Sequence, residues 1–74
     1  MSIVVEVRGD YIQLDQLLKT TGLCHSGGYA HSEIEAGNVK VDGVVESRKR
    51  AKLRPGQRVS YGEETVDLVA AATS

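Results

Sequence analysis

The chain reads as a single α+β domain, with one strand, then two short helices, then β structure to its end. Three observations predict this class. Leu14, Leu17 and Leu18 fall at i, i+3 and i+4, the spacing of one apolar helical stripe. Gly22, Ser26 and Gly37 stand where one helix should stop, a second should start and that second should stop in turn. Beyond Gly37 the pattern switches to alternation. Val39 and Val41 flank Lys40, and the turn dipeptide Asp42-Gly43 leads into Val44-Val45.

Each element has its own local justification. Ile3 to Val7 is rich in β-branched residues and reads as a short strand, stopped by Gly9-Asp10. The first helix is expected from about Ile12 to Thr21, with Asp15 and Lys19 spaced for an exposed ion pair. Gly22 ends it, and Leu23 can pack back on the last turn. Ser26 is the N-cap of the second helix, which runs to about Ala36 with Ala30 and Ile34 on its buried face. So short a connection makes the pair a compact helical hairpin or corner. The segment from Arg48 to Arg54 reads as extended. Arg48, Arg50, Lys52 and Arg54 then face water, with Lys49, Ala51 and Leu53 on the other face. Pro55-Gly56 turns the chain into Arg58-Val59-Ser60-Tyr61, and Gly62-Glu63-Glu64 turns it again into Val66-Asp67-Leu68-Val69. Residues 71–74 are small and featureless, a frayed tail after a domain spanning residues 1–70.

Size and composition bound the function. With 74 residues, no Trp, no Phe and three Tyr, the core must be aliphatic and its stability modest, roughly 3–5 kcal/mol. Such a chain has little room for both a core and a deep catalytic pocket, which weighs against an enzyme. The single cysteine, Cys24, excludes an internal disulfide. Cys24, His25 and His31 fall short of the four ligands a structural zinc wants. Sequence neighbours also seldom face each other as a Cys–His catalytic pair must. No metal, cofactor or catalytic residue is therefore assigned, and Cys24 reads as a packing residue at the helix corner. Glu33 and Glu35 fall on a solvated helix face, and Tyr61 falls in the core. The opening residues lack the features of a signal peptide, and no segment is apolar enough to span a bilayer, so a cytoplasmic location is the default.

A net charge of −1 hides a strong asymmetry. Seven of the nine basic residues, Lys40, Arg48, Lys49, Arg50, Lys52, Arg54 and Arg58, share one window with only Asp42 and Glu46. That window carries +5 and the rest of the chain −6. A nucleic acid would meet a positive edge on an otherwise acidic protein. Charged edge strands also discourage aggregation, but one or two lysines suffice for that. Ser26-Gly27-Gly28 is the second informative stretch. Two glycines in the first turn of a helix cost about 1 kcal/mol each relative to alanine. In return they leave bare amides at the positive end of the helix dipole, a ready phosphate site. The competing reading is that they only permit a tight turn between helices while Ser26 only caps. Tyr29 beside them can stack on a base or hydrogen-bond, and His31 can add charge.

Leu14-Asp15-Gln16-Leu17-Leu18, Gly22-Leu23, Ser26, Ala30, Ile34 and Gly37-Asn38-Val39-Lys40-Val41-Asp42-Gly43 together resemble the S-four RNA-binding domain, also called the alpha-L motif. Leu53-Arg54-Pro55-Gly56-Gln57-Arg58-Val59 is similar to the way such domains lead into their closing strand. The resemblance covers about residues 12–61. Within the family it is nearest to short stand-alone bacterial members of the YbcJ type, where Ser-Gly-Gly opens the second helix and an Arg-Lys-Arg cluster follows the hairpin. It implies an α+β fold in which a two-helix alpha-L motif packs on a small, bent, mostly antiparallel sheet. It also implies an RNA site across the start of the second helix and the adjoining β loop. Carried over by position, Ser26, Gly27, Gly28 and His31 form the helical half of that site. Lys40, Arg48, Lys49 and Arg50 form the β half, with Tyr29 as a stacking candidate.

Two positions depart from the family's usual pattern. Gly27 stands where Arg or Lys commonly follows the capping Ser, and His31 where a stronger base is usual. Backbone donors would then replace part of the charge. The implied protein is a non-catalytic, monomeric, cytoplasmic binder of structured RNA (ribosomal, transfer or other), with no cofactor and no membrane partner. It would recognise shape more than sequence, mainly through phosphates. The other reading is an adaptor whose basic segment docks an acidic surface of a ribosomal or RNA-processing protein.

Overall fold

The computed structural model describes residues 2–71. Of the expected tail, residues 72–74 lie outside the described residues. Strand β1 (Ser2–Val7) leads through a turn at Gly9 into the two-residue β2 (Ile12–Gln13), then helices α1 (Leu14–Thr20) and α2 (Gly27–Glu35). The rest is β3 (Val39–Val41), β4 (Val44–Val45), β5 (Lys52–Leu53), β6 (Arg58–Tyr61) and β7 (Glu64–Ala70). Five strands form one sheet in the order β1-β7-β6-β3-β4. There β1 and β7 run parallel, and the other neighbours run antiparallel. Strands β2 and β5 pair as a separate antiparallel ribbon.

Alternation along the strands sends one set of side chains to the helices. Val39, Val41, Val59, Val66 and Leu68 are buried with Leu14, Leu17 and Leu18 of α1 and Ala30 and Ile34 of α2. Each large aliphatic side chain so buried is worth about 1.5–3 kcal/mol. Both helix ends read from the sequence are present. Gly22 and Gly37 take φ of +80° and +83°, a conformation that costs a side-chain-bearing residue strain. The β3–β4 turn has φ of +52° at Asp42 and +84° at Gly43, the two positive values that a tight I′ hairpin needs.

Two expectations are corrected. Helix α1 starts at Leu14, not Ile12, because Ile12 and Gln13 pair with Leu53 and Lys52. Nor is the basic segment one extended ladder. Lys49 and Arg50 sit in a turn in which the Ala51 N–H donates to the Arg48 carbonyl at 3.2 Å, and strand pairing is confined to Lys52 and Leu53. Ala51 and Leu53 are buried as expected, but Lys49 faces water like the arginines beside it. The turn frees the loop's carbonyls to serve another element.

Candidate nucleic-acid interface

That element is α1. Its N-cap, Gln13, provides no side-chain cap, so the first amides of the helix need acceptors from elsewhere. The basic loop supplies them. Leu14 N–H donates to the Ala51 carbonyl and Asp15 N–H to the Lys49 carbonyl, each at 3.0 Å. With Ala51 buried as an anchor, the backbone under Lys49 and Arg50 is fastened to the start of α1 while both side chains stay exposed. Arg48 is held differently. Its Nε and Nη2 grip the two carboxylate oxygens of Glu46 at 2.9 and 3.2 Å, so much of its charge is already answered. An open depression runs along Arg48, Arg50, Ala51 and Lys52.

In the helical half, Ser26 adopts extended backbone and its Oγ accepts the Tyr29 N–H at 3.2 Å, as an N-cap should. The Gly27 and Gly28 amides have no protein acceptor among the described residues. Neither glycine takes a positive φ. A Cβ on Gly28 would meet nothing within 4 Å, and one on Gly27 would come no nearer than 3.9 Å to the Lys19 side chain. Neither a positive φ nor a close contact therefore calls for glycine here. The Asp15–Lys19 ion pair expected from spacing is absent among the described residues.

Asp15 pairs with His31 instead, Oδ2 to Nε2 at 2.9 Å, joining α2 to the first turn of α1. Burial alone would raise the Asp15 carboxyl. The bonds from His31 and the Gln16 amide, with the charges of His31 and Arg50, outweigh it and hold the group below its ordinary value. The loop, α1 and α2 thus converge on one carboxylate. His31 meets Asp15 rather than standing free as a cation.

Other basic residues stand apart. Lys40 lies between buried Val39 and Val41, so it projects from the sheet face away from the core, beside Val45 and Ser60. Arg58 is paired with Asp67 at 2.5 Å, and the Lys52 ammonium sits 5.0 Å from the centre of the Tyr11 ring.

Glu33 is also corrected. It is not simply solvated but accepts from the Tyr61 hydroxyl, from Asn38 Nδ2 at 3.0 Å and from the Tyr29 hydroxyl at 3.3 Å. These bonds, Tyr61's first, hold its carboxyl below the ordinary 4.5, and the Tyr61 hydroxyl is pushed well above its usual range. Cys24 is buried at the helix corner, and burial together with the Glu33 charge pushes its thiol up. A folded value below the unfolded one means that Glu33 stabilises the fold above pH 4.5, and that this contribution fades as pH falls through the folded value. Urea unfolding of Glu33→Gln against the parent should show a stability gap at pH 7 that narrows toward pH 3. A gap that stays constant across that range would contradict this account of the carboxylate.

The fold and site define a small α+β module that presents an open, basic surface. A family model for the S4 domain matches residues 5–69, and the chain belongs to that family, one of non-catalytic domains. Among its relatives is YbcJ of Escherichia coli, 47% identical over 60 residues that make up 81% of this chain and 86% of YbcJ. YbcJ is itself named as a candidate RNA-binding protein. The solution structure of YbcJ, described as revealing an alpha-L motif involved in RNA binding, aligns with a TM-score of 0.68 and 40% identity. That alignment covers 93% of this chain and 86% of the other. The tyrosine–tRNA ligase of Ralstonia nicotianae is 46% identical over 52 residues, 70% of this chain but only 13% of the ligase.

Proposed function

We propose that this chain binds structured RNA through a two-part phosphate surface. The Lys49–Arg50 turn forms one part, and the amino end of α2 forms the other. The observation that carries the reading is the glycine pair. Gly27 and Gly28 leave two amides without a protein acceptor among the described residues, where neither conformation nor packing asks for glycine. Close approach of an anion to the backbone is the use such a pair has. Membership of the S4 domain family and the RNA-binding descriptions given to YbcJ support the same reading.

Within it, Ser26 caps the helix and shapes the amide site, while His31 holds Asp15 and so fixes α2 against the loop. Arg48 contributes at the rim through whatever charge Glu46 leaves. Lys40, on the other face of the sheet, adds contacts only for an RNA that wraps past the β3–β4 hairpin. The chain acts as a cytoplasmic monomer with no cofactor and no chemical step of its own.

The triple variant Arg48→Ala, Lys49→Ala, Arg50→Ala should bind an RNA hairpin at least roughly tenfold more weakly at low salt. If about four phosphates are neutralised, the parent's affinity should fall roughly tens-fold between 50 and 200 mM salt. Parent-like binding by the triple variant would sink the reading. Pull-downs that survive nuclease would point to an acidic protein partner instead.

A further inference from the structure

Beside the amide pair stands a feature that phosphate binding does not use. The rings of His25 and Tyr29 stack with centroids 4.8 Å apart and planes inclined by 28°. Both residues are exposed, and Tyr29 keeps 41% of its surface open to solvent. An exposed aromatic side chain is ordinarily free to change rotamer, but this one is tied. The Tyr29 hydroxyl donates to Glu33 at 3.3 Å, and the same carboxylate is fixed from the sheet by Tyr61 and from the end of α2 by Asn38. His25 immediately precedes the cap residue Ser26, so the pair flanks the bare amides of Gly27 and Gly28.

We propose that the His25–Tyr29 pair is a stacking platform for one unpaired nucleobase, and that the RNA this site selects carries a bulged or looped-out nucleotide. The inference rests on the RNA-binding reading above and narrows it. A base within a continuous duplex has both faces covered by its neighbours and cannot add to an outside ring, whereas a splayed base can. The stack is sequence-tolerant, since every base has a π-face, so the platform selects for an unpaired nucleotide and not for its identity. Tying Tyr29 in advance removes most of the ordering cost of the stack.

The test uses two RNA hairpins of one sequence, one with a single bulged 2-aminopurine and one in which that position is paired. Affinity is read by anisotropy and stacking by quenching of the 2-aminopurine emission. The parent should bind the bulged hairpin roughly tenfold more tightly than the paired one and quench its emission. Tyr29→Phe, which keeps the ring but loses the tie to Glu33, should keep the quenching and only part of the preference. Tyr29→Leu and His25→Ala should lose the preference and the quenching, and His25→Ala should still bind the paired hairpin as the parent does. His25 donates no bond that holds the fold among the described residues, so it tests the platform even if the Tyr29 variant is destabilised. Equal binding of the two hairpins by the parent, or a preference that survives in both ring-deleted variants, overturns the platform and leaves the phosphate site standing. Failure of the parent to bind either hairpin at low salt overturns both.

Discussion

Replacing Leu17 with alanine is expected to remove most of the stability of the fold at 25 °C. The side chain is fully buried, at 0% exposure, on a helix of only seven residues whose apolar stripe is Leu14, Leu17 and Leu18. So short a helix has almost no stability of its own and exists because that stripe is packed. A buried Leu→Ala change costs roughly 2–5 kcal/mol, against roughly 3–5 kcal/mol for a whole domain of this size. The loss also reaches the site, since α1 carries Asp15 and receives the carbonyls of the basic loop. Urea titration followed by circular dichroism measures the effect. Thr20→Ala, exposed at the end of the same helix, should stay within about 0.5 kcal/mol of the parent. A Leu17→Ala midpoint equal to that of Thr20→Ala would show that α1 does not depend on its stripe.

The second large effect is on binding. The double charge reversal Lys49→Glu, Arg50→Glu should lower affinity for an RNA hairpin about a hundredfold at 50 mM salt, with the fold intact. Each phosphate neutralised in a single-stranded or looped region adds about 0.7 to the slope of log affinity against log salt, hence on the order of tenfold in affinity at 50 mM. The fold is spared because both side chains are exposed, while the bonds that dock the loop use backbone carbonyls. Arg48→Ala alone should cost less than Arg50→Ala, since Glu46 already occupies the Arg48 guanidinium. Equal losses at the two arginines would mean that the Glu46 pair opens when RNA arrives. An unchanged affinity for the double reversal would remove the loop from the interface.

Much of this was legible in the chain itself. The apolar spacing of Leu14, Leu17 and Leu18, the Ser26 cap, the glycines at 22 and 37 and the Asp42-Gly43 hairpin all appear where the sequence places them. These features depend on a residue and neighbours about four positions away, and such local stereochemistry is the same in any surrounding. Composition likewise announced an aliphatic core and a basic window. The Arg48–Glu46 pair was also within reach, being two residues apart, but the expected extended strand would have faced Arg48 to water with its neighbours and gave no cue for a turn.

The misses share one cause. Asp15 had Lys19 four residues away and His31 sixteen away, and it took His31. The packing of α2 on α1 brings His31 to that carboxylate. Ile12 fits a helix or a strand equally well by local preference, and the partner Leu53 decided for the strand. Glu33 looked solvated because its main donor, Tyr61, lies 28 positions on. The parallel pairing of β1 with β7 joins the two ends of the described chain and leaves no local trace. The sequence by itself determined the two helices and their stops, the Asp42-Gly43 hairpin, the buried face and the sign of the charge. Tertiary structure alone decided that Asp15 pairs with His31, that Arg58 pairs with Asp67, and that the loop carrying Lys49 and Arg50 is fastened to α1. Those choices lie between local alternatives of nearly equal energy, and interactions between distant parts of the chain settle them.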